Sequence, residues 1–521
     1  MRKNDESAPS HHEYLIIGGG PAGLQLGYFL EKAGRDYLIL EAGETPGSFF
    51  KKFPRHRKLI SINKVHTGQT DPELNLRFDW NSLLCDNEDL LFKNYSKSYF
   101  PEADSLVAYL KDFAAHYRLK IEYGVRVSRI TKKGDVFRVS DSDDQVYSCQ
   151  RLIIATGFSR EYVAPIPGIE LAESYANVDV RPEEFTNQKV LIIGKGNSAF
   201  ETADNLVETA AVIHIASPQR LNLAWQTHFV GHLRAVNNNF LDTYQLKSQN
   251  AVIDATIEKI ERQDGRFLVD IAYSHAKGQR SRISYDRVIA CTGFRFDDSI
   301  FDETCRPKLV IKDRFPEQTS EWESTNVKDL YFAGTLMQMR DFKKTTSGFI
   351  HGFRYNVRAL HRMLELKYHD EEWPSRPINA TPEDVLEAIV NRVNTNSAIW
   401  QQFGFICDLV VIPEHGSEAL YYEEVPTDFI RHADFGKHSH YYTVTLEYGH
   451  AEGDPFGIER DPDPRNARTT AYLHPIIRRF DGARLINEHH VLDDLENHWF
   501  KDESARPLAE FIQGEFARSS G

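Results

Sequence analysis

A strand, a glycine-rich turn and a helix follow one another at two places in this chain, and this repeat constrains the fold more than any other feature. The apolar run 14–17 is followed by the turn 18–23 and a helical pattern. The apolar run 190–193 is followed by the turn 194–199 and a second helical pattern. Such turns present backbone amides at a helix N-terminus to a diphosphate. The repeat therefore predicts an α/β protein with two Rossmann-like dinucleotide-binding domains.

The residues of the first copy have separate tasks. Gly18 permits the sharp turn, Gly20 lets the backbone approach a pyrophosphate, and Gly23 lets the helix pack closely on the strand. A second strand, residues 37–40, ends at Glu41, whose carboxylate is placed to accept hydrogen bonds from ribose hydroxyls. A carboxylate at this position suits the adenosine ribose of FAD, so we expect FAD as the resident cofactor.

The second copy ends differently. Its second strand, residues 212–216, leads into Ser217 and Arg220 and not into a carboxylate. A hydroxyl and a guanidinium would bind a 2′-phosphate, which an acidic group would repel. We therefore expect NADPH at the second site. The alternative is that Arg220 lies in a solvated loop without a ligand.

Both copies close with the same short sequence. Residues 155–158 read Ala-Thr-Gly-Phe and residues 291–294 read Cys-Thr-Gly-Phe, each after a predicted β-meander. A later apolar strand ends at Gly334, and residues 347–349 open a further helix. In two-nucleotide flavoproteins such a strand returns to the FAD domain. The positive N-terminal end of the helix at Gly348 would favour negative charge on a reduced flavin.

These elements divide the 521 residues into four segments. The FAD-binding domain is expected over residues 12–185 and 295–365, with the NADPH-binding domain inserted as residues 186–294. Residues 366–521 are expected to form a mixed α+β cap or substrate-side domain.

Composition excludes several classes of protein. The net charge of −14 argues against a nucleic-acid partner, because phosphate backbones bind basic surfaces. The apolar stretch 403–412 is too short for a transmembrane helix, and the polar N-terminus has no signal peptide. Five dispersed cysteines without a C-x-x-C pair fit a reducing compartment, so we expect a cytoplasmic protein. His432, His438 and His440 have no evident carboxylate or cysteine companions, so no metal site is predicted.

The motifs together resemble the flavin-containing monooxygenase-like branch of two-dinucleotide-binding-domain flavoproteins. Segments 54–64, 79–84, 234–238 and 242–248 resemble more closely an endoplasmic-reticulum group within it that is linked to degradation of misfolded proteins. The chain ends in Arg-Ser-Ser-Gly and not in a retention tetrapeptide, so the reticulum address is not expected here. The sequence fingerprint of that branch has a histidine where this chain has Ala172, and this difference motivates the reductase alternative given below.

The resemblance implies an oxidoreductase that binds FAD and NADPH and, most simply, a single-component monooxygenase. It would oxygenate a small molecule with oxygen, through a C4a-(hydro)peroxyflavin. A reductase without oxygen transfer and a flavoprotein whose C-terminal region recruits a protein partner remain alternatives, and homo-oligomerisation is open. The resemblance also implies a flavin-facing, catalytic role for Asn63. The residues expected to bind cofactor are Gly18, Gly20, Pro21, Ala22, Gly23, Glu41, Phe49, Thr156, Gly157, Gly194, Gly196, Asn197, Ser198, Ala199, Ser217, Arg220, Gly334, Gly348 and Phe349.

Overall fold

The structure is a computed structural model that describes residues 10–245, 250–413, 417–431, 433, 435, 440–449 and 457–519. His432 and His438 lie outside the described residues, as do parts of the termini and of the segment 242–248 that entered the sequence comparison. Within the described ranges, no helix is both long and apolar enough to cross a membrane.

The first sheet has seven strands and carries the first glycine turn. Its central strands are parallel and are buried at residues 14–17, 37–41 and 152–154, which explains the continuous apolar runs there. The late strand Leu330–Phe332 pairs in parallel with Val146–Ile154 of this sheet, so the chain returns to it after the second nucleotide unit. The order is Ile121–Tyr123, Tyr37–Glu41, Ser10–Ile17, Val146–Ile154, Val136–Asp141 and Val127–Lys133.

The second sheet also has seven strands and carries the second glycine turn. The strands beside that turn are parallel, and the two that follow Ala251–Gln263 in the sheet run antiparallel as a meander. The order is Arg280–Tyr285, Arg266–Tyr273, Ala251–Gln263, Val212–Ser217, Lys189–Ile193, Arg287–Ala290 and Glu173–Ser174. The predicted α/β class with two nucleotide-binding units is confirmed.

The C-terminal region contains a six-stranded antiparallel sheet covered by helices. The order is Ser375–Asn379, Glu418–Pro426, Ile406–Ile412, His440–Tyr448, Leu473–Asp481 and Arg484–His490. Two further pairs of short strands are Arg160–Glu161 with Phe294–Arg295, and Leu309–Val310 with Phe315–Pro316. The six-stranded sheet and the helices that cover it confirm the expected mixed α+β region after the nucleotide units.

Helices connect these sheets and join the three parts. The α-helices are Pro21–Lys32, Ser48–Lys52, Pro72–Asn75, Ala103–His116, Asn197–Leu206, Ala224–Thr227, Asn239–Gln245, Ile350–His369, Pro382–Thr395, Ala398–Gln401 and Asp502–Ser519. The helix Ile350–His369 is buried along most of its length and lies between the first glycine turn and the C-terminal sheet. Its Arg358 pairs with buried Glu424 of that sheet, so the C-terminal region is fixed directly to the helix.

The helix after the first glycine turn begins at Pro21, three residues before the predicted start, with Gly20 as its N-cap. Two more helix starts differ from the sequence expectation. The second turn's helix begins at Asn197, three residues before the predicted start, because Gly196 already serves as its N-cap. The helix expected to open at Gly348 begins at Ile350 with Phe349 as N-cap, because residues 346–349 form a hydrogen-bonded turn. The positive ends of both helices therefore lie beside the expected ligand-facing residues.

Candidate functional site

A cavity of about 550 Å³, the cofactor cavity, lies between the first glycine turn, the closing segment 155–158 and the start of the helix Ile350–His369. It brings together residues from many distant parts of the chain. The expected residues that line it are Gly20, Pro21, Ala22, Phe49, Thr156, Gly157, Asn197, Ser198, Gly334, Gly348 and Phe349. Its size is that of a small-molecule or cofactor site.

The glycines of the first turn divide into two groups. A Cβ at Gly20 would meet no atom within 4 Å, and the same is true at Gly157, so both leave open space on the cavity side. Gly18 and Gly23 do not line the cavity. A Cβ at Gly18 would lie 2.7 Å from the Ala155 carbonyl oxygen, and one at Gly23 would lie 2.0 Å from the Gly18 carbonyl oxygen. These two glycines therefore allow close backbone packing behind the open surface.

Glu41 lies at the end of its strand, as the sequence predicts, and is almost completely buried. Its Oε2 accepts a 2.7 Å hydrogen bond from the Gly19 amide, and its Oε1 accepts 2.7 Å bonds from the Gly43 amide and the Ser48 hydroxyl. A carboxylate has about four acceptor positions. Glu41 thus fixes the glycine turn and keeps acceptor capacity for ribose hydroxyls.

Unsatisfied polar atoms support a polar ligand in the cofactor cavity. Both ring nitrogens of His351 are buried without a described partner, and so is Nε of Arg314; both residues line the cavity. Burial, with Arg354 and Arg234 nearby, lowers the pKa of His351 well below its usual range, so the ring is neutral and offers one donor and one acceptor. Buried polar atoms of native proteins nearly always have partners. An isoalloxazine ring has edge atoms that would supply them, so these residues fit a flavin.

An aromatic stack stands beside these atoms. The Trp80 and His351 rings are stacked with centroids 4.1 Å apart, and the guanidinium of Arg234 lies 5.0 Å from the Trp80 ring centroid. The ring of Phe349 lies 5.9 Å from that of His351 at 19°. The flat wall matches the shape of a planar ring system, and none of these residues except Phe349 was expected from the sequence.

Glu201 is a second residue that sequence reasoning missed. It lies in the helix of the second glycine turn, lines the cofactor cavity and accepts a hydrogen bond from the Tyr175 hydroxyl. Burial raises the pKa of Glu201 to about 7, although the bond from Tyr175 lowers it. No sequence signal singled out Glu201, because residues one helical turn away, such as Ser198 and Asn205, are also polar. A carboxyl group that titrates near neutrality beside a cofactor is a candidate proton acceptor or donor.

The glycines of the second turn also differ in their surroundings, one facing open space and one packed against backbone. A Cβ at Gly196 would meet no atom within 4 Å, whereas one at Gly194, where φ is +127°, would lie 2.2 Å from the Cys291 carbonyl oxygen. Ala199 is buried in the core beneath the turn. The Asn197 amide donates to the carbonyls of Gly231 and His232, at 3.3 and 2.9 Å. Gly196 is thus the open approach to the helix N-terminus, and Asn197 positions the segment after residue 230.

Three basic side chains lie beside the end of the strand Val212–Ser217: Arg220, His275 and Lys195. Arg220 is exposed, and its described hydrogen bond is a 3.4 Å contact with His275. Lys195, inside the glycine turn, donates to the carbonyls of Ser217 and Gln219 and pairs with Asp254. The sequence identified Ser217 and Arg220 but not Lys195, although it stands between the two glycines.

Asn63 lies outside the cofactor cavity. Its Nδ2 donates to the carbonyl of Ser96 at 2.8 Å and to that of Ser98 at 3.3 Å, and the side chain is 1% exposed. The neighbouring Ser61 lines the cavity instead. The Nδ2 of Asn63 fixes a loop behind the cavity wall, while its Oδ1 is buried without a described partner, so the catalytic role of Asn63 stays a prediction. Among the described residues, no group of three potential metal ligands occurs.

A model of the pyridine nucleotide-disulphide oxidoreductase family matches residues 15–334, which include both glycine turns and the returning strand. The chain belongs to this family. FAD-dependent oxidoreductase domain-containing protein 2 of Mus musculus is 37% identical over 94% of this chain and 81% of its own length. These matches confirm the resemblance inferred from the sequence.

Two solved structures share the fold of about two thirds of this chain. A flavin-containing monooxygenase from Stenotrophomonas maltophilia matches with a TM-score of 0.52 and 20% identity, over 68% of this chain and 99% of its own. The bacillithiol disulfide reductase of Staphylococcus aureus matches with a TM-score of 0.52 and 19% identity, over 69% and 99%. Family membership confirms an oxidoreductase with FAD and a pyridine nucleotide as cofactors.

The disulfide chemistry in the family's name requires reactive thiols. All five cysteines are free, and burial raises the pKa of each thiol. Cys291, which lies at the second closing strand, is fully surrounded by protein and donates weakly to the Ser198 carbonyl. Thiols that resist ionisation are poor nucleophiles. The cysteines of this chain are therefore unsuited to a dithiol relay.

Proposed function

We propose that this protein is an NADPH-dependent flavin monooxygenase that acts on a small organic molecule. The observation that carries the proposal is a second cavity, of about 860 Å³, that shares Trp80, Val230 and Arg234 with the cofactor cavity. We call it the junction chamber. Its remaining walls come from residues 224–235, Thr346 and the C-terminal region, including Trp400 and Asp493. The raised pKa values of the five thiols favour this reaction class over disulfide reduction.

The cofactor cavity and the junction chamber share one wall. Trp80 separates them, with Arg234 against the Trp80 ring and His351 stacked on it. The segment 231–237 is held by Asn197, which belongs to the helix that would bind NADPH. Nucleotide binding at that helix would therefore also support the wall between cofactor and chamber. A closed, low-dielectric site prevents loss of reactive species to water.

When bound, FAD supplies hydride acceptance from NADPH and subsequent reaction with oxygen. The residues of this chain bind and orient it: Gly20 and Gly157 leave room for its backbone contacts, and Glu41 is placed at its ribose. His351 offers a neutral donor and acceptor at the cavity wall, and Glu201 holds a proton near neutral pH. Free cysteines are compatible with a reducing compartment. We therefore propose that the protein acts in the cytoplasm.

Peroxide release tests the proposal directly. The FAD-loaded protein is reduced with NADPH without oxygen and then mixed with oxygen, with NADP⁺ either retained or removed. We expect peroxide release to be at least about tenfold slower with NADP⁺ retained, a change of about 1.4 kcal/mol in barrier. Equal, rapid and stoichiometric peroxide release in both cases would instead identify a reductase or oxidase.

Coenzyme choice is expected to depend on Arg220. Replacing Arg220 with alanine should raise KM for NADPH by about ten- to a hundredfold and leave KM for NADH nearly unchanged. The reason is the loss of a charge-assisted contact with the 2′-phosphate, worth about 1.5–3 kcal/mol. Steady-state kinetics with both coenzymes measures the change. Arg266→Ala, at an exposed arginine of the same domain, is the control. An unaltered NADPH preference in Arg220→Ala would reject the assignment.

Flavin reduction is expected to slow as pH rises through about 7, where Glu201 loses its proton. Below this pH the carboxyl is neutral; above it, a buried negative charge faces a site that must accept hydride and become more electron-rich. Anaerobic rapid mixing with NADPH across this range measures the rate. Glu201→Gln should remove this pH step, whereas Glu208→Gln, at the exposed residue after the same helix, should retain it. A step that persists in Glu201→Gln belongs to another group.

A further inference from the structure

We infer that the junction chamber binds a planar aromatic molecule that carries a basic nitrogen, and that Asp493 is the anchor for that nitrogen. The inference rests on the proposed function, because it names the substrate class of the same site. It is carried by three independent features of the chamber: its aromatic walls, its excess of carboxylates and one unpartnered carboxylate oxygen.

Aromatic rings form about a third of the chamber lining. The rings of Trp80, Trp225, His228, Trp400, Phe403 and Tyr448 line it. His228 and Tyr448 are stacked 3.8 Å apart at 15°, and the ring of Phe403 meets Tyr448 edge-on at 5.1 Å. Burial lowers the pKa of His228, so this ring is neutral at physiological pH and adds no charge. Flat walls of this kind select planar rings and also attract cations to their faces.

The charged groups of the chamber are unequal in sign. Three carboxylates line it, Asp493, Asp494 and Glu503, against two guanidinium groups. One of these guanidinium groups, Arg234, lies against the Trp80 ring. The other, Arg460, donates through Nε to Asp493 Oδ2 at 2.7 Å. Lys501, outside the chamber lining, pairs with Asp494, so the excess of carboxylates is confined to the lining and gives only a weak preference for a cationic ligand.

Asp493 is the carboxylate that lacks a full set of partners. It is 4% exposed, and its Oδ1 has no hydrogen-bond partner among the described residues. The adjacent Asp494 differs, because its Oδ1 accepts from the amides of Glu496 and His498 and its Oδ2 from Lys501. A buried acceptor without a donor is costly. An ammonium group in the chamber would donate a hydrogen bond to Asp493 Oδ1 after a small rotation of the carboxyl group. Both oxygens of Asp494 already accept hydrogen bonds.

The position of Asp493 also sets the orientation of the ligand. Trp80 lines both cavities, whereas Asp493 lines the junction chamber alone. A molecule whose nitrogen is held at Asp493 and whose ring lies along the aromatic walls would direct its ring, and not its basic nitrogen, toward the cofactor cavity. The ring would therefore be the part that perturbs a bound flavin.

Calorimetric titration of the oxidised, FAD-loaded full chain tests the inference with three indole probes of matched shape. Tryptamine carries an ammonium group, 3-ethylindole is neutral and indole-3-propionate is anionic. We expect tryptamine to bind at least about tenfold more tightly than 3-ethylindole, the contribution of one charge-assisted hydrogen bond, and indole-3-propionate to bind most weakly. Equal affinities, or tightest binding of the anion, would overturn the inference.

Matched variants separate the anchor from the walls. Asp493→Asn should raise the Kd of tryptamine by about tenfold or more and leave that of 3-ethylindole nearly unchanged, while Asp494→Asn should change neither appreciably. Trp225→Leu, at a half-exposed wall residue whose replacement should not disturb the core, should weaken both probes alike. An unchanged tryptamine Kd in folded Asp493→Asn would refute the role of Asp493.

The outcome is independent of turnover, because the titration contains neither NADPH nor oxygen. Binding of tryptamine through Asp493 without oxygen transfer would leave the binding site intact and reject the monooxygenase proposal. Oxygen transfer to other molecules without selective tryptamine binding would support the monooxygenase proposal and reject the binding site at Asp493. A change in the visible absorbance of FAD on adding tryptamine to the unaltered protein, lost in Asp493→Asn, would support the orientation of the ring, and no change on adding tryptamine to the unaltered protein would contradict it.

Discussion

Replacing Gly20 with alanine is expected to yield a folded protein that no longer retains FAD. Gly20 has φ −79° and ψ −176°, a conformation that alanine adopts, and a Cβ there would meet no atom within 4 Å. The methyl group would instead fill the space through which a pyrophosphate approaches the backbone. Losing two charge-assisted hydrogen bonds of about 1.5–3 kcal/mol each would weaken FAD binding by roughly a hundred- to ten-thousandfold.

The ratio of flavin to protein after purification measures this loss, and reconstitution with added FAD gives the Kd. Circular dichroism and thermal unfolding of the apoprotein check that the fold is retained. Gly514→Ala is the matched control, because this helical glycine also has open space at its Cβ and lies in the last helix. A Gly20→Ala protein that retains FAD in full would show that the first turn does not hold the pyrophosphate.

Replacing Gly196 with alanine is expected to retain FAD and to abolish most reduction by NADPH. Gly196 is the N-cap of the second helix, with φ −90° and ψ −178°, and its Cβ position is open as well. The added methyl would obstruct the diphosphate of the coenzyme but not the cofactor cavity, which Gly196 does not line. We expect the rate of flavin reduction at fixed, subsaturating NADPH to fall by about a hundredfold, from the loss of about 3 kcal/mol of binding.

Rapid mixing with NADPH under anaerobic conditions provides the rate, and chemical reduction by dithionite is the control, since it needs no nucleotide site. The variant should be reduced by dithionite as quickly as the unaltered protein. If Gly20→Ala and Gly196→Ala both lost FAD and neither affected the coenzyme selectively, the assignment of one nucleotide to each turn would be wrong.

The remaining glycines of the two turns should behave differently in such experiments. A Cβ at Gly23 or Gly194 would lie 2.0 or 2.2 Å from a backbone carbonyl oxygen, a separation that atoms do not tolerate. Substitution there is expected to disturb the packing of helix on strand and therefore the stability of the whole domain. The sequence motif groups the open and the packed glycines together, and the structure distinguishes them.

Much of the architecture was readable because local sequence reports local structure. The buried parallel strands, the Gly18 and Gly194 turns and the C-terminal strand Ile406–Ile412 follow from apolar runs bounded by glycine or polar residues. Two long helices, Ala103–His116 and Asp502–Ser519, were not assigned from the sequence. The second contains Pro507, which interrupts the usual helical pattern.

The candidate site was readable only where a motif keeps its members close together in the chain. Glu41 and the first glycine turn belong to one such motif, and both lie where the sequence predicts. Asn63 shows the limit, because its segment resembles a flavin-facing one while its side chain bonds to the backbone of residues 96 and 98. Which face of a loop a side chain occupies depends on what packs against it from elsewhere.

The sequence by itself determined two strand, glycine-turn and helix units, an acidic end to the second strand of one unit and a basic loop after that of the other, because each depends on backbone conformation and spacing over about thirty residues. Only the tertiary structure decided that Trp80 and His351 form one wall, that Glu201 is buried against Tyr175, and that Asp493 borders a chamber beside the cofactor cavity. These groups lie tens to hundreds of residues apart. Their proximity comes from the packing of segments that are distant in the chain, including the first unit and the C-terminal sheet on the helix Ile350–His369, which no local pattern encodes.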